Sequence, residues 1–140
     1  MTESSSFEIP KSWTFKSKNV ATNFNSHVRE SLPWYDMVTG FVVHFARNYI
    51  PESGVVYDIG ASTGNIGKSI YNILHDRSAE FHAIEESNEM ASVYEGPQKL
   101  HVCDALDHNY KPYDFAVCFL TLMFIPMSKR KSFLGMLVSK

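Results

Sequence analysis

The chain has 140 residues, of which 44% are hydrophobic and 20% are charged, and its formal net charge is −2. This is the composition of an ordinary globular domain, and the slight acidic excess argues against a dedicated nucleic-acid-binding module. A polar N-terminus and apolar runs well short of ~18 residues predict neither a signal peptide nor a membrane span, and the scattered histidines predict no metal site.

The first part of the chain is predicted to form a tail followed by helices. Residues 1–18 are polar and rich in serine, which predicts a disordered tail, and residues 19–140 are predicted to form one domain. Trp13 and Phe15 are expected to anchor the tail to the domain. A short helix is predicted from residue 19 to residue 30, and it should end near Leu32 because the residue before Pro33 disfavours the helical backbone.

A stronger helix is predicted next, and the turn after Pro51 should end it. Its apolar residues recur at three- and four-residue spacing, which is typical of a helix that packs one face into a core. We therefore interpret the following stripe as core: Trp34, Met37, Val38, Phe41, Val42, Phe45 and Tyr49.

The next segment combines a strand, a glycine turn and a helix. Residues 55–57 are apolar or aromatic and predict a buried parallel strand, which Asp58 and Gly60 end. A turn of small residues runs to Gly64, and a helical pattern spans residues 66–74. Such a junction lets the backbone approach a ligand closely.

Three more strands are predicted further along, at residues 81–84, 100–103 and 114–120, with a short helix after Ser87 and a last helix starting near Pro126. Strands that alternate with helices predict an α/β fold with a parallel sheet and right-handed crossovers. Cys103 and Cys118 fall in the strand-like runs, and we expect both to be reduced in a cytoplasmic protein.

An acidic residue ends each of the first three strands: Asp58, Glu85 and Asp104. Ligands of open parallel sheets bind outside the carboxyl ends of the strands. A carboxylate at the position of Glu85 suits a ribose, because it accepts hydrogen bonds from both hydroxyls. The pattern predicts a nucleoside cofactor, although each acid alone is also typical of a solvated strand end.

A phosphate-binding loop is the competing interpretation of the turn. Residues 62–69 fit that pattern except that Ser62 stands where its first glycine would be. The same residues continue the helical spacing, and no later strand supplies a magnesium-binding aspartate in the usual context. Lys68 is therefore better interpreted as a solvated helix residue.

The chain resembles the class I S-adenosyl-L-methionine-dependent methyltransferases. Residues 56–64, 83–90 and 102–105 are similar to the first three motifs of that class. Within it, residues 24–35 and 121–124 resemble the carboxy-S-adenosylmethionine synthases, which serve tRNA wobble-uridine modification. The resemblance runs from Val20 to the C-terminus. It implies a Rossmann-like parallel sheet, of which this chain would supply only the N-terminal part: about four strands with preceding helices.

The resemblance also implies S-adenosylmethionine as the cofactor and assigns residues to it. Gly60, Ala61 and Ser62 would lie against the methionine part, Asp58 would orient the turn that ends at Gly64, and Tyr35 would close over the cofactor. The full set of implied cofactor residues is Tyr35, Asp58, Gly60, Ala61, Ser62, Gly64, Glu85, Glu86, Asp104 and Ala105.

The adenosine half of the cofactor would meet the next two strand ends. Glu85 would bind the ribose hydroxyls, and Glu86 would lie beside the adenine. Asp104 would accept a hydrogen bond from the adenine amino group, and Ala105 would offer its backbone. No residue is assigned a catalytic role, because the cofactor carries the reactivity in methyl transfer.

Two departures from the synthase pattern favour ordinary methyl transfer. The synthases have an asparagine at the position of Phe119, and their carboxylate-recognising arginine belongs to a later part of the fold. The acceptor stays open between a small molecule and an RNA. The basic cluster at residues 129–131 is compatible with a contact to an anionic substrate or RNA, but we interpret it as a solvated helix face. The alternatives are a carboxy-S-adenosylmethionine synthase-like enzyme and a non-catalytic S-adenosylmethionine-binding or protein-interaction module.

The fourth strand raises a question about the end of the chain. Residues 115–120 are apolar throughout, which is typical of a strand buried on both faces. In the resembling fold this strand is central, so here it would be an exposed hydrophobic edge. We therefore expect the chain to be a fragment of a longer protein, or a partner, such as a second copy in a homodimer, to cover residues 115–120.

Overall fold

The computed structural model describes residues 14–140. Trp13 and the first part of the predicted tail, residues 1–13, lie outside the described residues. Phe15 packs edge-on against Phe24 and Phe124, with ring centroids 6.1 and 5.0 Å away, respectively. This part of the predicted anchor is therefore in contact with the domain.

Helices and strands alternate along most of the chain, after two helices at the start. In chain order the elements are α1 (Lys18–Ser31), α2 (Tyr35–Tyr49), β1 (Val55–Ile59), α3 (Asn65–Ser69), α4 (Tyr71–Asp76), β2 (Glu80–Glu85), α5 (Asn88–Ser92), β3 (Leu100–Val102), β4 (Phe115–Val117), a 3-10 turn (Leu122–Phe124) and α6 (Met127–Val138).

The four strands form one parallel sheet in the order β3-β2-β1-β4. Val56 lies opposite Phe81 on one side and Phe115 on the other, and Ala83 lies opposite Leu100. This arrangement confirms the predicted α/β class. Because the strands are parallel, their carboxyl ends share one edge of the sheet, where the three predicted acids come together.

Apolar side chains cover both faces of the sheet. Ala46 from α2 and Ile50, which follows that helix, pack with Ile70 on one face. Tyr57 and residues of α6, among them Phe133, pack on the other. Full burial of a side chain such as Ile70, which is 0% exposed, contributes about 1.5–3 kcal/mol to folding. A third cluster joins α1 to α5 at the carboxyl edge.

The prediction that the aromatic stripe of α2 lies in the core is wrong. Met37, Phe41, Phe45 and Tyr49 are each more than half exposed, and Trp34 is 40% exposed. The opposite face of the helix is buried instead, through Tyr35, Thr39 and Ala46. Thr39 and Ala46 are small, so the helix axis can lie close to its neighbours. The aromatic part of the stripe is left on the outside, whereas its two valines, Val38 and Val42, are partly buried.

Two predicted boundaries also change. The helix predicted over residues 66–74 is divided into α3 and α4, because Ile70 leaves the helical backbone at φ −101° and ψ 5°. Strand β4 pairs with β1 only over Phe115–Val117 rather than to Leu120, whose φ of 54° turns the chain away. It lies at the edge of the sheet, and pairing of a second copy there stays a prediction.

Within residues 14–140, the helices are all too short or too polar to cross a bilayer.

Candidate functional site

Two cavities meet at the carboxyl edge of the sheet. The first, which we call the polar cavity, has a volume of about 410 Å³, and the second, the aromatic cavity, has a volume of about 380 Å³. Both volumes lie in the range of small-molecule sites. The residues that line both cavities are Phe15, Gly60, Ser62, Leu120 and Phe124.

The turn after β1 forms the boundary between the cavities, and it requires glycine at Gly60. This residue has φ +76°, and a Cβ placed on it would lie 2.1 Å from Thr121 Oγ1. Thr121 Oγ1 donates a hydrogen bond to the Ile59 carbonyl at 2.9 Å, and the Gly60 amide donates to the Ile84 carbonyl at 2.8 Å. The turn is therefore held between the ends of β2 and β4.

Glu85 fixes the other side of the same turn. One carboxylate oxygen accepts from the Ser62 amide at 2.7 Å and the other accepts from the Ser87 amide at 2.9 Å. The side chain is buried, and this burial raises the pKa of Glu85, while both amide hydrogen bonds favour the charged form. Glu85 thus connects the turn to the N-terminus of α5 before any ligand binds.

The remaining acids of the polar cavity are held more loosely. Among the described residues, Asp104 accepts a hydrogen bond through Oδ1 alone, from the Leu106 amide at 2.8 Å. The Ala105 carbonyl accepts from the Tyr110 hydroxyl at 2.9 Å. Glu86 is exposed and pairs with Lys16 at 3.9 Å. Three carboxylates and one ammonium therefore line this cavity, which suits a ligand rich in hydroxyl and amino groups.

Asp58 is the one carboxyl side chain in the described lining of the aromatic cavity, which holds no lysine or arginine. It is 2% exposed, and its Oδ2 atom is buried without a hydrogen-bond partner among the described residues. Burial, with a smaller contribution from the charge of Glu85, raises the pKa of Asp58 to about 7. An unpaired buried carboxylate costs free energy unless a donor or a cation reaches it.

A small polar network closes the aromatic cavity on the helical side. Asn65 Nδ2 donates to the Tyr35 hydroxyl at 3.2 Å and to Asn25 Oδ1 at 2.9 Å. Thr63 Oγ1 donates to the same Asn25 oxygen at 2.8 Å. The Tyr35 ring also packs against Phe119, with centroids 5.3 Å apart, and burial raises the pKa of its hydroxyl. The network ties α1 and α2 to the glycine turn.

The structure brings nine of the ten implied cofactor residues to the two cavities. Tyr35, Asp58 and Ala61 line the aromatic cavity, Gly60 and Ser62 line both, and the polar cavity holds Glu85, Glu86, Asp104 and Ala105. Gly64 is not among the described lining residues. It precedes α3 at φ +91°, and a Cβ there would lie 2.5 Å from the Gly96 nitrogen, so the backbone requires glycine here, and its assignment to the cofactor stays a prediction.

Several residues of the site were not predicted from the sequence. Asn25 and Asn65 are distant in sequence, and neither carries a local signal beyond a polar side chain on a helix. Thr121 was noted only as part of the resemblance, and its bond to Ile59 depends on the turn after β4. Four of the described non-glycine residues have positive φ, and two of these four, Ser62 and Leu120, line both cavities. Such backbone conformations often occur at functional sites.

Two other sequence features take structural roles. Lys68 is a half-exposed helix residue that pairs with Glu95 at 3.1 Å, in agreement with its interpretation as a surface side chain. In the basic cluster, Arg130 donates to the main-chain carbonyls of Ile125 and Met123 at 2.9 and 3.0 Å. Over the described part of the chain, no group of three or more histidine, cysteine, aspartate or glutamate side chains could hold a metal ion.

Comparison with known proteins finds several similar proteins, which share the name carboxy-S-adenosyl-L-methionine synthase. A carboxy-S-adenosyl-L-methionine synthase of Staphylococcus epidermidis is 34% identical over 127 residues, which cover 87% of this chain and 55% of that protein. The synthases of Shewanella denitrificans and Shewanella pealeana are each 29% identical, over 79% and 82% of this chain. The chain spans about half the length of the curated relatives it matches. No protein-family model matches it.

Proposed function

We propose that this chain binds S-adenosylmethionine across the two cavities for methyl transfer. Its parallel sheet and its relatives support the proposal, because both fit a class I S-adenosylmethionine-dependent methyltransferase-like family. The observation that carries the proposal is the buried, unpartnered Oδ2 atom of Asp58 beside the glycine turn. S-adenosylmethionine has an ammonium group at one end and a nucleoside at the other. Asp58 and the acids of the polar cavity are complementary to these two ends.

The residues present fit the two halves of this molecule. Asp58 would receive the ammonium group, which removes the cost of its unpaired charge. Glu85 and Asp104 would accept hydrogen bonds from ribose hydroxyls and from the adenine amino group, because carboxylates are acceptors only. Ser62 and Gly60 line both cavities and would lie at the junction of the two halves.

The chemistry then depends on positioning. When bound, S-adenosylmethionine would supply an activated methyl group for transfer to a nucleophile. The chain's own residues hold the reactants and exclude water. Phe119 and Tyr35 do so at the aromatic cavity, where their rings pack together. Such positioning is the main source of rate enhancement in a displacement of this kind.

The relatives favour a second candidate, synthesis of carboxy-S-adenosylmethionine. They are named carboxy-S-adenosyl-L-methionine synthases, and this chain aligns with about half of their length. A carboxylated product needs a cationic partner, and the described lining of the aromatic cavity offers no lysine or arginine. Mass spectrometry of the cofactor after incubation with cell extract distinguishes the two activities. A carboxylated cofactor would identify the second, and S-adenosylhomocysteine the first.

Titration calorimetry with S-adenosylmethionine and S-adenosylhomocysteine tests the binding itself. We expect both to bind, and we expect Asp104→Ala to weaken them roughly tenfold, because a hydrogen bond to a charged group contributes about 1.5–3 kcal/mol. Asp107→Ala is the matched control. Asp107 is an exposed acid three positions away that does not belong to the described lining of either cavity. Equal losses in the two variants, or no heat with either ligand, would contradict the proposal.

A further inference from the structure

We infer that Asn25 is a positioning residue of the proposed cofactor site, and that it sets the Tyr35 hydroxyl to recognise the carboxylate at the amino-acid end of the cofactor. The inference rests on the proposed function, which gives the ammonium group of the same end to Asp58. It deepens that function by naming the residues that select a ligand with a free amino-acid carboxylate. Asn25 does not belong to the described lining of either cavity, so it acts through its neighbours.

The Asn25 side chain connects α1 to the glycine turn after β1. Its Oδ1 atom accepts hydrogen bonds from Thr63 Oγ1 at 2.8 Å and from Asn65 Nδ2 at 2.9 Å. Thr63 lies in the turn and Asn65 is the first residue of α3. A carbonyl oxygen has two lone pairs and can accept both bonds. One amide group on α1 therefore fixes this helix relative to the turn.

Asn65 extends this constraint to Tyr35. Its side-chain amide group has two N–H donors, and Nδ2 also donates to the Tyr35 hydroxyl oxygen, at 3.2 Å. Because the hydroxyl oxygen is the acceptor in this bond, the hydroxyl proton points away from Asn65. Tyr35 is buried and lines the aromatic cavity together with Asn65 and Asp58. The network therefore holds the Tyr35 hydroxyl as a hydrogen-bond donor at this cavity.

Other contacts fix the ring that carries this hydroxyl. The Tyr35 ring packs against Phe119 with centroids 5.3 Å apart, and the Arg29 guanidinium lies over the ring at 5.4 Å. Burial is the largest cause that raises the pKa of the Tyr35 hydroxyl, so the group keeps its proton at neutral pH. The ring contacts restrain the side chain, and the hydrogen bond from Asn65 adds a direction for its hydroxyl.

The amino-acid end of S-adenosylmethionine has an ammonium group and a carboxylate on one carbon atom. The Oδ2 atom of Asp58 is buried without a partner among the described residues, and it is assigned to the ammonium group. The carboxylate would then lie in the same cavity, which Tyr35 also lines. A hydroxyl that donates to a carboxylate forms a charge-assisted hydrogen bond, which is stronger than a neutral one. Asp58 and Tyr35 thus complement the two opposite charges of this end.

Two ligands that differ by one carboxylate test the inference: S-adenosylhomocysteine and its decarboxylated analogue, S-adenosyl-3-thiopropylamine. Binding is measured by titration calorimetry at about pH 8, above the pKa of Asp58. We expect Asn25→Leu to weaken binding of S-adenosylhomocysteine roughly tenfold and binding of the analogue less than roughly twofold, because only the former has the carboxylate. Leucine favours helices more than asparagine does, so α1 should be kept. Equal losses for the two ligands would contradict the inference.

Asn23→Leu is the matched control. Asn23 is on the same helix, but its Nδ2 atom donates to the main-chain and side-chain oxygens of Asn19, within α1. It should leave the affinities for both ligands within roughly twofold of the wild-type values. Asn25→Asp is the conservative variant, which keeps an acceptor for Thr63 and Asn65. It should restore S-adenosylhomocysteine binding to within roughly threefold of wild type. An equal loss in the control, or no rescue by aspartate, would contradict the inference.

A double-mutant cycle tests whether Asn25 acts through Tyr35. Tyr35→Phe removes the hydroxyl and keeps the ring, so it should weaken S-adenosylhomocysteine binding roughly tenfold. Adding Asn25→Leu to this variant should weaken binding by less than roughly twofold more, because the hydroxyl that Asn25 positions is already gone. Additive losses would show that Asn25 acts independently of Tyr35, against the inference.

The outcomes separate this inference from the proposed function. If the wild-type chain binds S-adenosylhomocysteine and Asn25→Leu binds it equally well, the inference is overturned and the proposed function stands. Equal wild-type affinities for S-adenosylhomocysteine and the decarboxylated analogue would also overturn the inference alone, because the carboxylate would then contribute nothing. No heat with S-adenosylhomocysteine would overturn the proposed function, and the inference with it.

Discussion

The polar and aromatic cavities share the turn at Gly60 but differ in how their carboxylates are held. In the polar cavity, Glu85 accepts two backbone amides and Asp104 accepts one. In the aromatic cavity, Asp58 keeps one oxygen buried and unpartnered. The first site is therefore organised before a ligand arrives, whereas the second carries an electrostatic cost that a cationic group can remove. Substitutions and changes of pH that alter how these carboxylates are held should therefore affect the two cavities differently, and Gly60→Ala should have the largest effect.

Gly60→Ala should damage both cavities at once. The new Cβ would meet Thr121 Oγ1 at 2.1 Å on a backbone with φ +76°. We expect a loss of roughly 3 kcal/mol in the free energy of unfolding, the sum of a left-handed backbone penalty and a steric clash. Urea denaturation measures it. The double variant with Thr121→Ala should lose less than the sum of the single variants. Strict additivity would contradict the contact.

Glu85→Gln should damage the organised cavity selectively. The amide can still accept from Ser87, but its NH₂ group would face the Ser62 amide and leave a buried donor unpaired. We expect a loss of about 1–3 kcal/mol in unfolding free energy. Glu86→Gln is the control, because Glu86 is exposed and weakly paired, and it should change stability by less than about 0.5 kcal/mol. Equal stability of the two variants would contradict the role given to Glu85.

The pH dependence of stability and of cofactor affinity should reflect the ionisation of Asp58 in the aromatic cavity. Its pKa of about 7 exceeds the unfolded value, so the free protein should lose stability as pH rises from about 4 to about 7, and burial of Glu85 adds in the same direction. A cationic ligand needs ionised Asp58. Affinity for S-adenosylmethionine should therefore fall by up to about tenfold per pH unit below about 7.

Asp58→Asn separates the two acids in this experiment. The variant should flatten the pH dependence of affinity between about pH 5.5 and 7, since only Asp58 is assigned to the ammonium group. An unchanged slope in the variant would assign the titration to Glu85 instead. Calorimetry in buffers of different ionisation enthalpy gives the number of protons released as an independent measure.

The smallest effect should come from the outer face of α2. Phe45 is 52% exposed, so Phe45→Ala should change the free energy of unfolding by less than about 1 kcal/mol. Phe81→Ala is the matched control. Phe81 is 4% exposed in the sheet, and its loss should cost about 3–5 kcal/mol. Similar losses in the two variants would restore the core role predicted for the stripe.

The sequence predicted the sheet and the acids well because both depend on local patterns. Four apolar runs gave four parallel strands, and the acids Asp58, Glu85 and Asp104 do meet at one edge, since parallel strands end on the same side. The identity of their ligand came from the resemblance, not from spacing. The difference between the two cavities was not predicted, because hydrogen bonds such as that from the Ser62 amide to Glu85 join residues distant in sequence.

The error at α2 has a clear physical cause. Periodicity identifies an apolar stripe but does not say which face of the helix meets the sheet. Here the narrow face of Thr39 and Ala46 packs inward, while Phe41 and Phe45 remain outside. The break at Ile70 was missed for a similar reason, since a continuous apolar pattern hides a change of helix axis.

Backbone NMR during titration with S-adenosylmethionine tests the central claim most directly. The account predicts that the amide signals of Gly60, Ser62, Asp104 and Ala105 shift together with one dissociation constant, because these residues line the two joined cavities. Gly40 and Gly135, whose surroundings are open, should not move. Shifts confined to other surfaces, or no shifts with the ligand near millimolar concentration, would contradict it.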